Sequence, residues 1–396
     1  MKKDTRLTQS GRVPVNAPRT VNVPLHRAST VLFDSLVDLK NAQRRFDNDE
    51  PIPTYGIFNM PQVLALENAV AEIEGAGEGG RAVTYPSGLA AVAGALLACV
   101  KTGDHVLMTD SCYGPARAFC DGFLKRMGVS TSYYDPLIGA DIAALMQPNT
   151  TVVYTESPSS LTFEVQDLPA IARVAHARGA KVIFDNAWAT GYFFNAFAHG
   201  ADLVVQPATK YYAGHSDVLI GLVIANQASW PQLRETTLAL GQRASADDCF
   251  LTLRGMRTMG VRLKQHQDSA LEIAAWLQTC PDVARVAYPA LPSDPGHAIW
   301  KRDFTGASGL LGIEMKPGSK AQLAAMIDHY ELFGIGYSWG GFESLAVPAN
   351  LGHGRTRPWQ GGELVRLHIG LEDVGDLKRD LEAGFLRWRA GVGNCR

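Results

Sequence analysis

The residues best equipped for chemistry in this 396-residue chain are Lys210 and Asp185. Each follows a short apolar run: Val182-Ile183-Phe184 ends in Asp185-Asn186, and Leu203-Val204-Val205 leads through Pro207-Ala208-Thr209 to Lys210. Apolar runs of this length read as buried strands. As successive parallel strands they bring both residues to the C-terminal edge of one sheet, where open α/β sheets bind ligands. A lysine just past a buried strand is costly to place unless its amine is used or paired. An amine with a carboxylate nearby suits pyridoxal phosphate (PLP). The amine forms the Schiff base, and the carboxylate keeps the pyridine nitrogen protonated so that the ring serves as an electron sink. A surface lysine in a loop and an aspartate capping a helix satisfy the same spacing, so the rest of the chain must decide.

Further polar turns follow other strands. Tyr85-Pro86-Ser87-Gly88-Leu89 joins a strand to a helix rich in alanine and glycine, and its free N–H groups suit a phosphate, although Ser87 serves equally as an ordinary N-cap. Thr209 adds a hydroxyl beside Lys210. Tyr113 follows the strand ending at Met108-Thr109 and is placed either to stack on a flat ring and move a proton or simply to sit on a surface loop. Glu156-Ser157-Pro158 is a third polar turn on the same rim. Several such turns converging carry more weight than any one. Arg366 lies in Leu364–Ile369, opposite the face shared by Val365, Leu367 and Ile369. Its guanidinium suits an α-carboxylate, or a salt bridge to Glu363 or Glu372. Tyr337-Ser338-Trp339-Gly340-Gly341 offers aromatic rings and backbone groups to a ligand.

The elements that must position these residues alternate. Strands are predicted at 82–85, 105–109, 130–134, 151–155, 181–185, 202–206 and 219–224, with helices between them at 88–100, 115–127 and 167–178. This is the signature of a mostly parallel sheet covered by helices on both faces. Residues 1–55 read as an N-terminal arm making contacts between subunits, with one short helix near Ser35–Phe46. Residues 56–255 form a large cofactor-binding domain, and 256–396, with a long helix over Gly255–Cys280, a smaller C-terminal α/β domain. The length suffices for two domains. A net charge of −2 gives no reason to expect nucleic acid or an anionic membrane as partner. The six cysteines (99, 112, 120, 249, 280, 395) include no pair of metal or redox spacing, and the ten histidines form no HExxH, so no metal is expected. No apolar core follows the basic N-terminus before Pro14, and the longest apolar run, Gly88–Val100, is too short to span a bilayer. A cytoplasmic protein is expected.

With these residues collected, the chain resembles the PLP-dependent enzymes of cysteine and methionine metabolism, in particular their β-lyase branch. The stretches that carry the resemblance are DNAWATG (185–191), PATKYYAGHSD (207–217), GMRTMGVRLKQH (255–266), KRDFTGASG (301–309), YSWGG (337–341) and VRLHIGLED (365–373). It implies an aspartate-aminotransferase-like (fold type I) subunit in a homotetramer whose active sites are shared between paired chains. Lys210 would carry PLP and act as general base, Asp185 would pair with the pyridinium, and Tyr113 would stack on the ring. Ser87, Gly88, Leu89 and Thr209 would hold the phosphate, and Tyr55 would reach it from the partner subunit. Arg366 and Ser338 would bind the substrate α-carboxylate, with Trp339 beside them; the tryptophan leans toward β-elimination. The implied activity is cleavage of L-cystathionine to homocysteine, pyruvate and ammonia, in methionine biosynthesis, with other cysteine S-conjugates as further substrates. A γ-lyase or γ-synthase of the same fold is the alternative, and a non-catalytic PLP-binding protein a more distant one.

The match breaks at one loop. Relatives carry Tyr-Gly-Arg, and one branch Tyr-Gly-Arg-Arg, where this chain has Tyr55-Gly56-Ile57-Phe58. The first arginine is the usual phosphate ligand, and the second is associated with the distal end of cystathionine. An acidic residue of that branch is also replaced, by Ala118, with Arg117 beside it. The loop therefore favours an apolar S-substituent, unless Arg117 or another arginine takes over.

Overall fold

The computed structural model of the chain describes residues 1–12, 20–351 and 355–390, so Pro14 and Cys395 lie outside the described residues. Seven strands build the larger sheet: β1 (Arg81–Tyr85), β2 (His105–Thr109), β3 (Ser130–Tyr134), β4 (Thr150–Glu156), β5 (Lys181–Asp185), β6 (Leu203–Gln206) and β7 (Gly221–Ala225). Their order is β1-β7-β6-β5-β4-β2-β3, and β7 alone runs antiparallel to its neighbours. The central strands carry continuous apolar runs because helices cover both faces, and every residue of β2, β6 and β7 is buried. With β7 reversed, β1 points the same way as β2, β4, β5 and β6. Their C-terminal ends share one edge.

The helix Gly88–Leu97 fixes that edge at close quarters. Ser87 caps it, its hydroxyl accepting from the Ala90 N–H at 3.1 Å. The small residues on this helix permit a backbone approach that side chains would prevent. A Cβ on Gly221 of β7 would stand 2.3 Å from the Ser87 carbonyl oxygen, and one on Gly88 would stand 2.8 Å from Pro207 Cβ. The Ser87 turn and the Lys210 turn are therefore packed together by the absence of side chains.

A second, antiparallel sheet combines β8 (Val283–Ala287), β9 (Leu310–Met315), β10 (Leu345–Pro348) and β11 (Leu364–His368) in the order β10-β11-β9-β8. The helices Lys320–Ile327 and Val374–Ala390 belong to this part of the chain. Between the two sheets runs Ala246–Leu277, 32 residues without a break. It begins well before the expected Gly255, because Ser245 accepts from the Asp248 N–H and Asp247 and Asp248 complement the helix dipole. The position 255/256 falls inside it, and it packs against Pro61–Glu74 as well as β8 and β9. Gly255 lets it press on the turn after Lys210: a Cβ there would meet the Ala213 carbonyl oxygen at 2.2 Å.

Two local readings change. The expected helix over 115–127 is a short α-helix, Gly114–Ala118, continued by a π-helical turn at Phe119–Leu124. The arm also begins with a helix, Lys3–Gln9, whose Leu7 is buried against the long helix and Pro61–Glu74. The expected helix near Ser35–Phe46 is Leu36–Asp47. Among the described residues no helix is long and apolar enough to cross a membrane.

Candidate active site

Lys210 follows β6 in a turn enclosed by both sheets. Its amine donates to the Ser338 hydroxyl and lies 5.2 Å from the Trp339 ring centroid. Burial lowers its pKa to about 8; the Arg366 guanidinium acts in the same direction, and the Asp185 carboxylate opposes them. Arg366 on β11 donates to the Ser338 carbonyl at 3.0 Å. Burial also depresses the Arg366 guanidinium, to about 10. Ser338 thus touches Lys210 through its hydroxyl and Arg366 through its carbonyl. It does so at a φ of +79°, a conformation that costs a non-glycine residue roughly 1–3 kcal/mol.

The neighbouring residues hold that conformation. Gly340 (φ +89°) brings its backbone onto Lys210, where a Cβ would stand 3.0 Å from the Lys210 Cα. Its N–H donates to His368 Nε2 at 3.1 Å, which leaves His368 Nδ1 to donate to the Glu343 carbonyl at 2.9 Å. Full burial, then the nearby His266, keeps His368 neutral. Trp339 packs at 5.4 Å from the ring of Tyr211, the residue after Lys210.

On the opposite wall Asp185 closes β5. Its carboxylate accepts from the Tyr154 hydroxyl at 3.2 Å and the Ala187 N–H at 3.1 Å. Glu156 is its direct partner in the β4–β5 register. Glu156 accepts from the Tyr113 N–H at 2.7 Å and from the Ser160 hydroxyl. Burial raises both carboxyl groups, and Asp185 pushes Glu156 up further. Tyr113 is therefore tied to this pair through its backbone, while its side chain is 43% exposed. Burial, Asp185 and Glu156 all keep its phenol protonated.

Ser87, Gly88 and Leu89 open their helix at the same edge, where the first N–H groups lack intrahelical acceptors. The Thr209 hydroxyl, one residue from Lys210, donates to the Ile220 carbonyl at 3.1 Å and accepts the Ile220 N–H at 2.8 Å. Tyr55 stands apart. It is 55% exposed, its backbone bridges to Thr30, and among the described residues no hydrogen bond or ring contact joins its side chain to this rim. Arg117 is engaged locally, donating to the Asp110 carbonyl at 3.0 Å and lying 3.6 Å over the Tyr133 ring.

Tyr154 and His368 escaped the sequence reading, and Glu156 entered it only as part of a polar turn, without its pairing. Tyr154 and Glu156 share a face of β4, which was legible, but their pairing with Asp185 depends on the strand register. His368 shares the Arg366 face of β11, and only the sheet's approach to Gly340 gives it a task.

The donor set fits the expected group. An amine kept partly neutral, a buried carboxylate that forms no ion pair among the described residues, and a helix N-terminus lie on one edge, which suits a phosphorylated pyridine aldehyde. The family model described as "Cys/Met metabolism PLP-dependent enzyme" matches residues 4–386. The chain is 46% identical over 395 residues to cystathionine beta-lyase MetC of Escherichia coli K12, covering 98% of each chain. It is 46% identical to cystathionine beta-lyase of Salmonella typhimurium over 394 residues, 97% of this chain and 98% of that one. A solved structure of cystathionine gamma synthase from Xanthomonas oryzae superposes with a TM-score of 0.88 at 29% identity, covering 98% of this chain and 99% of that one. With a family match spanning nearly its whole length, the chain belongs to the PLP-dependent enzymes of cysteine and methionine metabolism, and pyridoxal 5'-phosphate is its cofactor.

Proposed function

We propose that the chain is a carbon–sulfur β-lyase that cleaves L-cystathionine to homocysteine, pyruvate and ammonia. The observation that carries this reading is the Lys210 amine, lowered to about 8, linked through Ser338 to Arg366 and facing the Asp185 wall. The relatives named cystathionine beta-lyase support it. Bound at Lys210, the cofactor supplies the electron sink that makes a Cα proton removable and the Cβ–S bond breakable. Lys210, once free, takes the Cα proton; an amine near pH 8 is neutral often enough at neutral pH to do so. Arg366 and the Ser338 segment hold the α-carboxylate, with Trp339 beside them. Asp185 offers its charge to the ring nitrogen, and Tyr154 and the Ala187 N–H keep that carboxylate aimed. Tyr113 would stack on the ring and, with Lys210, would protonate the departing thiolate. Ser87, Gly88, Leu89 and Thr209 receive the phosphate, joined by Tyr55 of a neighbouring copy.

The same reading makes residues 1–55 an arm for contacts between subunits. It treats 56–255 and 256–396 as the large and small domains, joined within the helix Ala246–Leu277. We place the enzyme in the cytoplasm as a homotetramer. The free thiols Cys99, Cys112, Cys120, Cys249 and Cys280 support a reducing compartment.

A second substrate class, cysteine conjugates of apolar thiols, is favoured by Ile57, Phe58 and Ala118 and by the local engagement of Arg117. The deciding experiment is incubation with L-cystathionine and identification of the keto acid by mass spectrometry. Pyruvate with homocysteine is expected. Production of 2-oxobutyrate would replace this reading with a γ-lyase.

A further inference from the structure

The phosphate of the proposed cofactor is a dianion, and the residues lining its place supply it with no cation. Ser87 and Thr209 bring only neutral hydroxyls, one accepting the Ala90 N–H and the other bonded to the Ile220 backbone. Arg366 is held at Ser338, and Arg117 at Asp110 and Tyr133. The helix dipole alone supplies about half a charge.

Arg243, in the turn before the long helix Ala246–Leu277, is differently placed. Its guanidinium lies 4.7 Å over the ring of Phe58, in the Tyr55-Gly56-Ile57-Phe58 loop. One Nη donates to the Thr84 carbonyl at 3.4 Å, a long bond, three residues before Ser87. Its Nε is buried without a hydrogen-bond partner among the described residues. Beneath it the fully buried Glu67, bonded to Thr84, feels its charge. Arg243 is therefore a guanidinium with unspent donors, between the strand that feeds the Ser87 turn and the loop that carries Tyr55.

We propose that Arg243 is the cation of its own chain's phosphate subsite, working beside the Tyr55 of a neighbouring copy in place of the arginine that Ile57 displaces. The stacking on Phe58 aligns the guanidinium plane, and its charge partly offsets the upward push of burial on the Glu67 carboxyl. The inference rests on the proposed binding of PLP at Lys210.

The test is cofactor affinity, read from the absorbance of the imine formed with Lys210, for pyridoxal phosphate and for pyridoxal, which lacks the phosphate. Arg243→Met should weaken pyridoxal phosphate about tenfold to a hundredfold, the worth of a charge-assisted hydrogen bond, and leave pyridoxal unchanged. Arg243→Lys should retain part of the affinity, and Ile57→Arg in the Arg243→Met background should restore it. Equal weakening of both ligands would mark Arg243 as merely structural and overturn the proposal. Unchanged affinity for both would overturn it too. The imine in the unmutated enzyme and its loss in Lys210→Ala test the underlying reading separately: if those fail, the reading of Lys210 is wrong, whatever Arg243 does.

Discussion

At Lys210 three influences meet on one nitrogen. Burial and the Arg366 guanidinium disfavour the ammonium form, and the Asp185 carboxylate favours it. Removing Arg366 removes a like charge, so Arg366→Met raises the Lys210 midpoint above about 8, while Asp185→Asn lowers it. Reductive methylation of the cofactor-free protein with labelled formaldehyde, followed by NMR across pH, reads both shifts. A midpoint unmoved by Arg366→Met would mean that the Arg366 charge does not reach Lys210. The same variant loses the carboxylate clamp, and the Michaelis constant for cystathionine should rise about tenfold or more with the loss of a charge-assisted pair. Lys210, Asp185 and Arg366 were legible in the sequence because each stands at the end or on the inner face of a short apolar run, where strand periodicity says what is buried. Ser338 was legible as part of a ligand-facing segment, but its particular role only through family likeness. Its value lies in a left-handed backbone that joins Lys210 to Arg366, and no local pattern in Tyr337–Gly341 specifies that conformation.

The strand register makes its own demands. Because β4 and β5 pair Glu156 with Asp185, two carboxyl groups share one buried edge, and the folded chain holds the Glu156 proton more tightly than the unfolded chain does. Folded stability is thus fully present at acid pH and declines as pH rises through the raised Glu156 midpoint. Glu156→Gln has no proton to lose, yet its amide still accepts the Tyr113 N–H. In the cofactor-free protein the variant should match the wild type near pH 4. It should melt about 1–3 °C higher near pH 8.5, a difference that scanning calorimetry resolves. A gain that shrinks with rising pH would contradict the raised midpoint. On the facing wall, the loop after Ser338 depends on Gly340. Gly340→Ala combines a positive φ with a Cβ 3.0 Å from the Lys210 backbone, and should cost about 1–3 kcal/mol. The same substitution should loosen the Lys210–Ser338 contact, visible as a fall in kcat larger than any rise in KM. Strand positions in the large sheet were readable nearly to the residue, because buried parallel strands write continuous apolar runs. The reversal of β7 was not: an antiparallel strand buried on both faces carries the same runs.

For the whole molecule the unresolved balance lies in the arm. Lys3–Gln9 is docked on the body of its own chain, with Asp4 bonded to the Tyr192 hydroxyl at 2.6 Å and to Lys264 at 2.7 Å. The segment that follows is different: Leu32 is 88% exposed, Leu36 76% and Val37 66%. Burying an apolar side chain of this size is worth roughly 1.5–3 kcal/mol, so a row of them in water is a standing cost that a second copy of the chain would relieve. The exposed Tyr55 belongs to the same stretch, bridged to Thr30, and it contributes to a site only if the arm carries it to another chain. Assembly and cofactor retention should therefore be coupled. The double substitution Leu36→Glu and Val37→Glu leaves every residue around Lys210 in place, so a monomer with independent sites would keep its cofactor. The expectation is the opposite: light scattering should show smaller species than the wild type, and PLP should be lost on dilution in step with dissociation. The wild type should regain both together as its concentration rises, because the binding free energy of the cofactor then counts toward the assembled state alone. If the substituted chain dissociates but holds PLP as tightly as before, Tyr55 of a neighbouring copy adds nothing to cofactor binding, and the shared site must be abandoned.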